Sequence, residues 1–274
     1  MNDGVPLLVL SGQVPLSAMG TNAFQECPAV DMSKPVTKYS ICVEKVEDLP
    51  SVMEEALHIT VDGKPGAVHV DLPKCVTSSV LDKNTREIVR KPNITTFAKK
   101  TQPFQLTHSE IDRLANVVNK ANKPVILLGQ GCNDSYQKLR EFAIKANIPV
   151  TTTIHAMGCF DETHPLSLQF LGMHGNVSAN YAIQDADLII ALGTRFDDRI
   201  TGKVSTFAPE AFQHYQTTGN GGIIHVNINS EEIGNIIDTH YNYHMDCGDF
   251  IQQLLPNIQY QSRSSWLAQI NKWK

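Results

Sequence analysis

The chain lacks most of the features that place a protein at a glance. Its six cysteines, Cys27, Cys42, Cys75, Cys132, Cys159 and Cys247, form no CxxC pair and stand beside no histidine cluster at zinc spacing. That pattern excludes a metal knuckle and a redox dithiol, and no metal ligands are expected; the cysteines read as reduced thiols, mostly in the core, of a cytosol-like compartment. With a net charge of -5 and no Lys/Arg run, the chain has no electrostatic footprint for nucleic acid. No apolar run approaches the ~20 residues of a membrane span. The opening MNDGVPLLVLSGQVP has too short an apolar stretch and no basic flank for a signal peptide. No transit peptide is visible in this chain either, so a cytoplasmic or organellar location is expected. Internal repeats and low-complexity tracts are absent as well.

What is present is ordinary globular composition: 274 residues, 42% hydrophobic and 19% charged, enough for about two domains of roughly 100–200 residues. Short apolar runs, PLLVLSG, GAVHVDLP, KPVILLGQG, PVTTTI, ADLIIALG and GGIIHVNIN, end in glycine or a turn residue. Continuous β-branched runs of this kind suit parallel strands covered on both faces. Amphipathic stretches alternate with them. Leu49, Val52, Met53, Ala56 and Leu57 share one stripe over residues 47–60; Ile111, Leu114, Ala115 and Val118 share another, behind Thr107 and Glu110 at capping-box spacing. The fold class is therefore α/β: a parallel-sheet, doubly wound, Rossmann-like domain preceded by a partial α/β domain. Residues 74–104, rich in Lys, Asn, Thr and Pro, read as a linker. Residues 105–274 hold four strand candidates and their helices. Residues 1–73 hold two clear strands and a third candidate, KYSICV; so small a parallel sheet leaves an edge and a face open, like the back half of something larger.

Four stretches invite chemistry. LLGQGCND follows a strand and precedes a helical pattern, and Gly129 and Gly131 allow close approach to a phosphate; the third glycine of GxGxxG is replaced by Asp134, and a plain strand-to-helix turn remains the alternative. GMHGN sets Gly172 and Gly175 around Met173 and His174, either for a flat ligand or as a helix-entry loop. In HVNINSEEIG, Asn227 and Asn229 stand where dinucleotide folds often hold a ribose. ALGTRFDDRITGK releases Arg195, Asp197, Asp198 and Arg199 just past Gly193 at a strand's carboxyl end, where open α/β sheets bind ligands. A carboxylate can orient a guanidinium toward a carboxylate or phosphate; the alternative is a solvated cluster contributing under ~1 kcal/mol.

Taken together, SGQVP with GTNAFQE, GKPGAVHVDLPK, GMHGNVSANYA, ADLIIALGTRFDDRITGKVSTFAPEA and WLAQINKWK resemble the catalytic subunit of acetolactate synthase (acetohydroxyacid synthase) over nearly the whole chain. That family condenses two 2-keto acids on thiamine diphosphate, on the route to branched-chain amino acids, using pyrimidine-binding, FAD-carrying central and pyrophosphate-binding domains. The resemblance implies that residues 1–73 correspond to the latter half of the pyrimidine domain and 105–274 to the central domain. It implies that Phe24 and Gln25 face the reacting centre and that Arg199, beside Asp198, holds the second keto acid's carboxylate. It also places Met173 at the site entrance. FAD, structural in this family, is implied along residues 174–195 and 226–245, with Gly129 and Gly131 its glycine-rich turn; Gly172, Met173, His174, Gly175, Gly193, Arg195, Asn227 and Asn229 are the cofactor-binding candidates.

The sequence also departs from that pattern. The family's activating glutamate lies upstream of DGVPLLVLSGQ, and the GDG…NN motif for magnesium and diphosphate has no counterpart, since CGDF at 247–250 lacks the second glycine. Asp82 stands where the family places an FAD-contacting arginine, with Lys83 and Arg86 nearby. The expectation is a chain inactive alone, with thiamine diphosphate and magnesium bound only if another chain supplies the absent segments, and a homo-oligomer or a complex with another synthase chain. A non-catalytic FAD- or nucleotide-binding or dimerising module is the alternative, and a dinucleotide-dependent oxidoreductase stands behind both, since one sheet serves many chemistries.

Overall fold

A computed structural model describes residues 3–81 and 104–274. Asp82, Lys83, Arg86 and most of the expected linker lie outside the described residues. The chain divides into two compact units, Met1–Thr101 and Gln102–Lys274.

The first unit carries β1 (Leu7–Gln13), β2 (Tyr39–Cys42) and β3 (Ala67–Pro73) in a parallel sheet of order β1-β3-β2. KYSICV is thus a strand. The helix Leu49–Val61 follows a 3-10 turn at Val46–Asp48, with proline in its first turn, where the missing N–H has no intrahelical role. Its Ala56 is buried in one cluster with Val43, Val68 and Val70. This packing runs past residue 73: Lys74–Thr77 is helical and Val76 is buried in the same cluster.

The second unit carries β4 (Pro124–Leu128), β5 (Val150–Thr152), β6 (Ser167–Phe170), β7 (Leu188–Leu192), β8 (Gly222–Asn227) and β9 (Tyr241–His244). The order is β6-β5-β4-β7-β8-β9, every pair parallel. Strand order reverses between β4 and β7, and the crevice at their carboxyl ends is where doubly wound folds take ligands. Sequence reading expected four strands here and the structure has six. The additions, β6 and β9, are the sheet's edges; they are four residues long, partly exposed and polar, and so lack a continuous apolar run.

Side chains alternate between two covered faces. Ile126, Leu128, Ile190, Leu192 and Val226 share one cluster with the helices His108–Lys120, Tyr136–Ala146 and Cys247–Leu254. Val125, Leu127, Ile189, Ala191 and Ile223 share the other with Val177–Asp185, Pro209–Thr218 and Ser264–Trp273. The expected capping box is formed: Thr107 Oγ1 accepts from the Glu110 N–H and the Glu110 carboxylate from the Thr107 N–H. Buried Arg263 donates to the carbonyls of Val118, Ala121 and Ala146, joining two helix ends.

Candidate functional site

At the reversal point the turns after β4 and β7 meet backbone to backbone. A Cβ on Gly129 would lie 2.2 Å from the Gly193 carbonyl oxygen, and one on Gly193, whose φ is +60°, would lie 2.7 Å from the Gly131 Cα. Glycine here admits another stretch of the same chain. The N–H groups are also engaged: Gly129 donates to Leu192 O at 2.8 Å, Gly131 to Gly193 O at 3.2 Å and Gly193 to Val226 O at 2.9 Å. These amides therefore do not form an open phosphate cradle, and the turn enters a 3-10 helix, Gln130–Ser135, before the α-helix begins.

TRFDDR takes its shape from a residue that the sequence reading passed over. Phe196 is buried, has φ +55°, and stacks edge-on against His225 and Phe207. The Thr194 carbonyl accepts from His225 Nε2 at 2.8 Å and from Asn227 Nδ2 at 2.9 Å. Burial pushes the His225 pKa down, and its Nδ1 has no partner. With Phe196 anchored inward, the charges divide. Arg195 pairs with Asp197 at 2.9 Å, and Asp197 Oδ1 also caps the short helix Asp198–Thr201 by accepting from the Ile200 N–H. Asp198 and Arg199 project outward, side chains 81% and 68% exposed, 3.9 Å apart. The close carboxylate–guanidinium pair expected at Arg199 is thus found at Arg195; Asp198 is a loose neighbour.

Arg199 is held from another direction. Gly172 has φ +109°, a conformation that favours glycine, and a Cβ there would lie 2.2 Å from the Arg199 carbonyl oxygen. Met173 N–H donates to that carbonyl at 2.9 Å, and Arg199 Nη1 approaches Met173 Sδ at 3.4 Å. Leu171, Gly172, Met173, Ile200 and Thr201 line a cavity of about 230 Å³ at this junction. His174 is exposed and Gly175 half-buried on the approach to the helix Val177–Asp185. The structure thus brings Gly172, Met173 and Arg199 together, and Gly129, Gly131 and Gly193 together.

The asparagine candidates have structural work of their own. Asn227 Oδ1 accepts from the Asn229 N–H, and Asn229 Oδ1 from the Glu231 N–H. For a flat dinucleotide along this rim, the donor set on offer is the Arg195 and Arg199 guanidinium groups and the exposed His174, beside a ledge of glycine backbone. The guanidinium charge suits the phosphates of such a ligand, although Arg195 is already paired with Asp197 and the glycine turn keeps its own amides.

In the first unit Phe24 is 91% exposed and Gln25 has φ +69° at an exposed loop tip. The loop is braced from within: the Glu26 carboxylate accepts from the N–H groups of Gly20 and Ala23, and Gln13 Nε2 donates to Cys27 O at 2.6 Å and to buried Asp71 at 3.0 Å. Ser11 donates to Asp71 at 2.6 Å and lies 2.7 Å from His69 Nε2. No sequence motif announced this buried polar network.

Comparison with known proteins gives the family. The family model described as thiamine pyrophosphate enzyme, central domain, matches residues 111–254. The mitochondrial acetolactate synthase catalytic subunit of Saccharomyces cerevisiae is 42% identical over 99% of this chain and 40% of its own length. The acetolactate synthase isozyme 1 large subunit of Escherichia coli is 39% identical over 96% of the chain and 44% of its own length. The chloroplastic acetolactate synthase of Arabidopsis thaliana is 37% identical over 90% and 34%. The chain therefore spans about two fifths of the length of such relatives.

Proposed function

Because the chain belongs to the thiamine pyrophosphate enzyme family, with residues 111–254 its central domain, we propose that it serves an acetolactate synthase reaction as part of a larger assembly. The reaction is the condensation of two 2-keto acids, pyruvate with pyruvate or with 2-oxobutanoate, with loss of CO2, leading to valine, leucine and isoleucine. In this reading residues 1–73, with the helix Lys74–Thr77 packed into the same core, are the latter half of a pyrimidine-binding domain, the remainder of 74–104 is a linker and 105–274 the central domain.

The observation that carries the reading is the seating of the Gly172–Met173 loop on the Arg199 turn at the sheet's carboxyl rim. A guanidinium tethered through its own backbone and touched on one side by a thioether is open on the other, and can take the carboxylate of the second keto acid in bidentate fashion. Placement before binding lowers the ordering cost at the reacting centre. Asp198 contributes local field beside it, and Phe24 and Gln25, exposed on their own loop, are available to a reacting centre completed by other segments. FAD would be held by His174, Gly175 and Arg195 along the rim, and it supplies structure rather than electrons in this reading. Thiamine diphosphate with magnesium would supply the nucleophilic carbon, held by segments outside this sequence. No helix among the described residues is long and apolar enough to cross a membrane, and the location we propose is cytoplasmic or organellar; the yeast and Arabidopsis relatives are named mitochondrial and chloroplastic.

The test is acetolactate formation from pyruvate with thiamine diphosphate, magnesium and FAD, by the chain alone and by the chain with a synthase lacking functional counterparts of Phe24, Gln25 and Arg199. We expect no product alone, and product in the mixture that Arg199→Ala lowers by about 100-fold or more. Product from the isolated chain overturns the division of labour, and an inert Arg199→Ala overturns the clamp. A second reading, a non-catalytic FAD- or nucleotide-binding or dimerising module, is favoured by the exposed apolar strand β1. A yellow purified protein that yields no acetolactate in any mixture would select it.

A further inference from the structure

We propose that Asn180 is the positioning residue that sets the Gly172–Met173 loop against Arg199; the inference rests on the clamp reading above. Asn180 lies in the second turn of the helix Val177–Asp185, facing back toward the loop that leads into that helix. Its carboxamide grips one residue at both backbone atoms: Nδ2 donates to Gly172 O at 3.1 Å, and Oδ1 accepts from Gly172 N–H at 3.3 Å. Nδ2 also donates to Asn176 O at 3.0 Å.

A primary amide offers a donor and an acceptor side by side, as a peptide group does, so it can stand in for a neighbouring strand where the chain has left the sheet. Gly172 needs that substitute. It follows β6 in a left-handed conformation, with neighbouring backbone already in contact where a Cβ would be. A loop packed so closely has no slack, and a small shift of Gly172 is transmitted to Met173, whose N–H and sulfur both touch Arg199. The sequence of contacts is Asn180 to Gly172, Gly172 and Met173 to the Arg199 carbonyl, and Met173 sulfur to the guanidinium. Asp at 180 would keep the acceptor and lose the donor; Ala would lose both.

The experiment uses the full chain as wild type, Asn180→Asp, Asn180→Ala and Arg199→Ala. Amide hydrogen exchange reports the loop, and the side-chain resonance of 15N-labelled Arg199 reports the guanidinium. In both Asn180 variants exchange at Gly172 and Met173 should accelerate about tenfold, with the Arg199 resonance displaced and protection in β7 and β8 retained. The Asn180→Asp resonance should return toward wild type on acidification, because a neutral carboxylic acid regains a donor for Gly172 O; Asn180→Ala should show no such return. Unchanged exchange at Gly172 and Met173, or a loss spread across the whole unit, overturns the proposal.

Pyruvate titration at the same resonance and at the Met173 amide separates the two readings. A saturable wild-type response at the guanidinium and at the Met173 amide, the latter absent in Arg199→Ala and both about tenfold weaker in Asn180→Asp at neutral pH, supports both. A wild type that ignores pyruvate counts against the clamp, while the exchange data still decide on Asn180.

Discussion

Strands β1 and β4 look alike as sequence and fare differently as structure. LLVLSGQ and PVILL are both short apolar runs, yet every residue of β4 is buried while Leu7, Val9 and Leu10 of β1 are 51%, 39% and 51% exposed. The difference lies in neighbours. β4 sits between β5 and β7, with helices over both faces, whereas β1 pairs with β3 alone among the described residues. An apolar run reports what a strand can bury; how much it does bury depends on the partners its sheet provides. An apolar edge with no second strand partner among the described residues is also where another chain can add, which accords with the proposal of an assembly.

The two strands differ most at the glycines that end their apolar stretches. Gly129 faces backbone atoms of Gly193 and Thr194 at 2.2 to 2.6 Å from its missing Cβ, and backbone cannot swing aside. Gly129→Ala should destabilise the second unit by about 3 kcal/mol or more, by forcing apart the turns after β4 and β7. Trp266 and Trp273, the chain's two tryptophans, both lie in that unit, so urea unfolding followed by their fluorescence isolates the effect. A cost below ~1 kcal/mol would mean that the turns do not hold this packing in solution.

Much of the second unit was legible because its central strands bury every residue and read as unbroken apolar runs. Thr107 and Glu110 were legible for a different reason: capping is local chemistry at fixed spacing. The edges β6 and β9 were not, since SLQF and YNYH carry no continuous apolar signal. At the site, the motifs marked the right loops, while the partners within them stayed hidden. Four charges within five positions could not tell which guanidinium takes which carboxylate, because the answer turns on Phe196 being drawn inward by His225 and Phe207. Arg263 was equally opaque: its targets are carbonyls more than a hundred positions away in the chain, and a carbonyl has no sequence signature.

His225 offers a smaller effect, again confined to the second unit. Burial holds its pKa below the ordinary 6.5, so the unfolded chain takes up a proton that the folded one refuses. Its contribution is complete above about pH 6.5 and declines as pH falls below that value, by at most ~1.4 kcal/mol per pH unit. His240, also depressed by burial, acts with the same sign. Urea midpoints at pH 7.5, 6.5 and 5.5 should fall toward acid, and His225→Gln, which keeps a donor for Thr194 O, should flatten that fall. An equal slope in the variant would assign the acid sensitivity to other groups.

The smallest effect is expected at the end of β1. Gly12 has no neighbouring atom within 4 Å of where its Cβ would stand, and its φ is not in the left-handed region. An alanine there meets no obstacle and restricts the unfolded chain, so Gly12→Ala should leave stability within ~0.5 kcal/mol or raise it slightly. Circular dichroism must report it, because the first unit has no tryptophan. If another chain packs against β1 in an assembly, Gly12→Ala, silent in the free protein, should weaken that association, and a loss of stability in the free protein itself would show that this end of β1 is already covered.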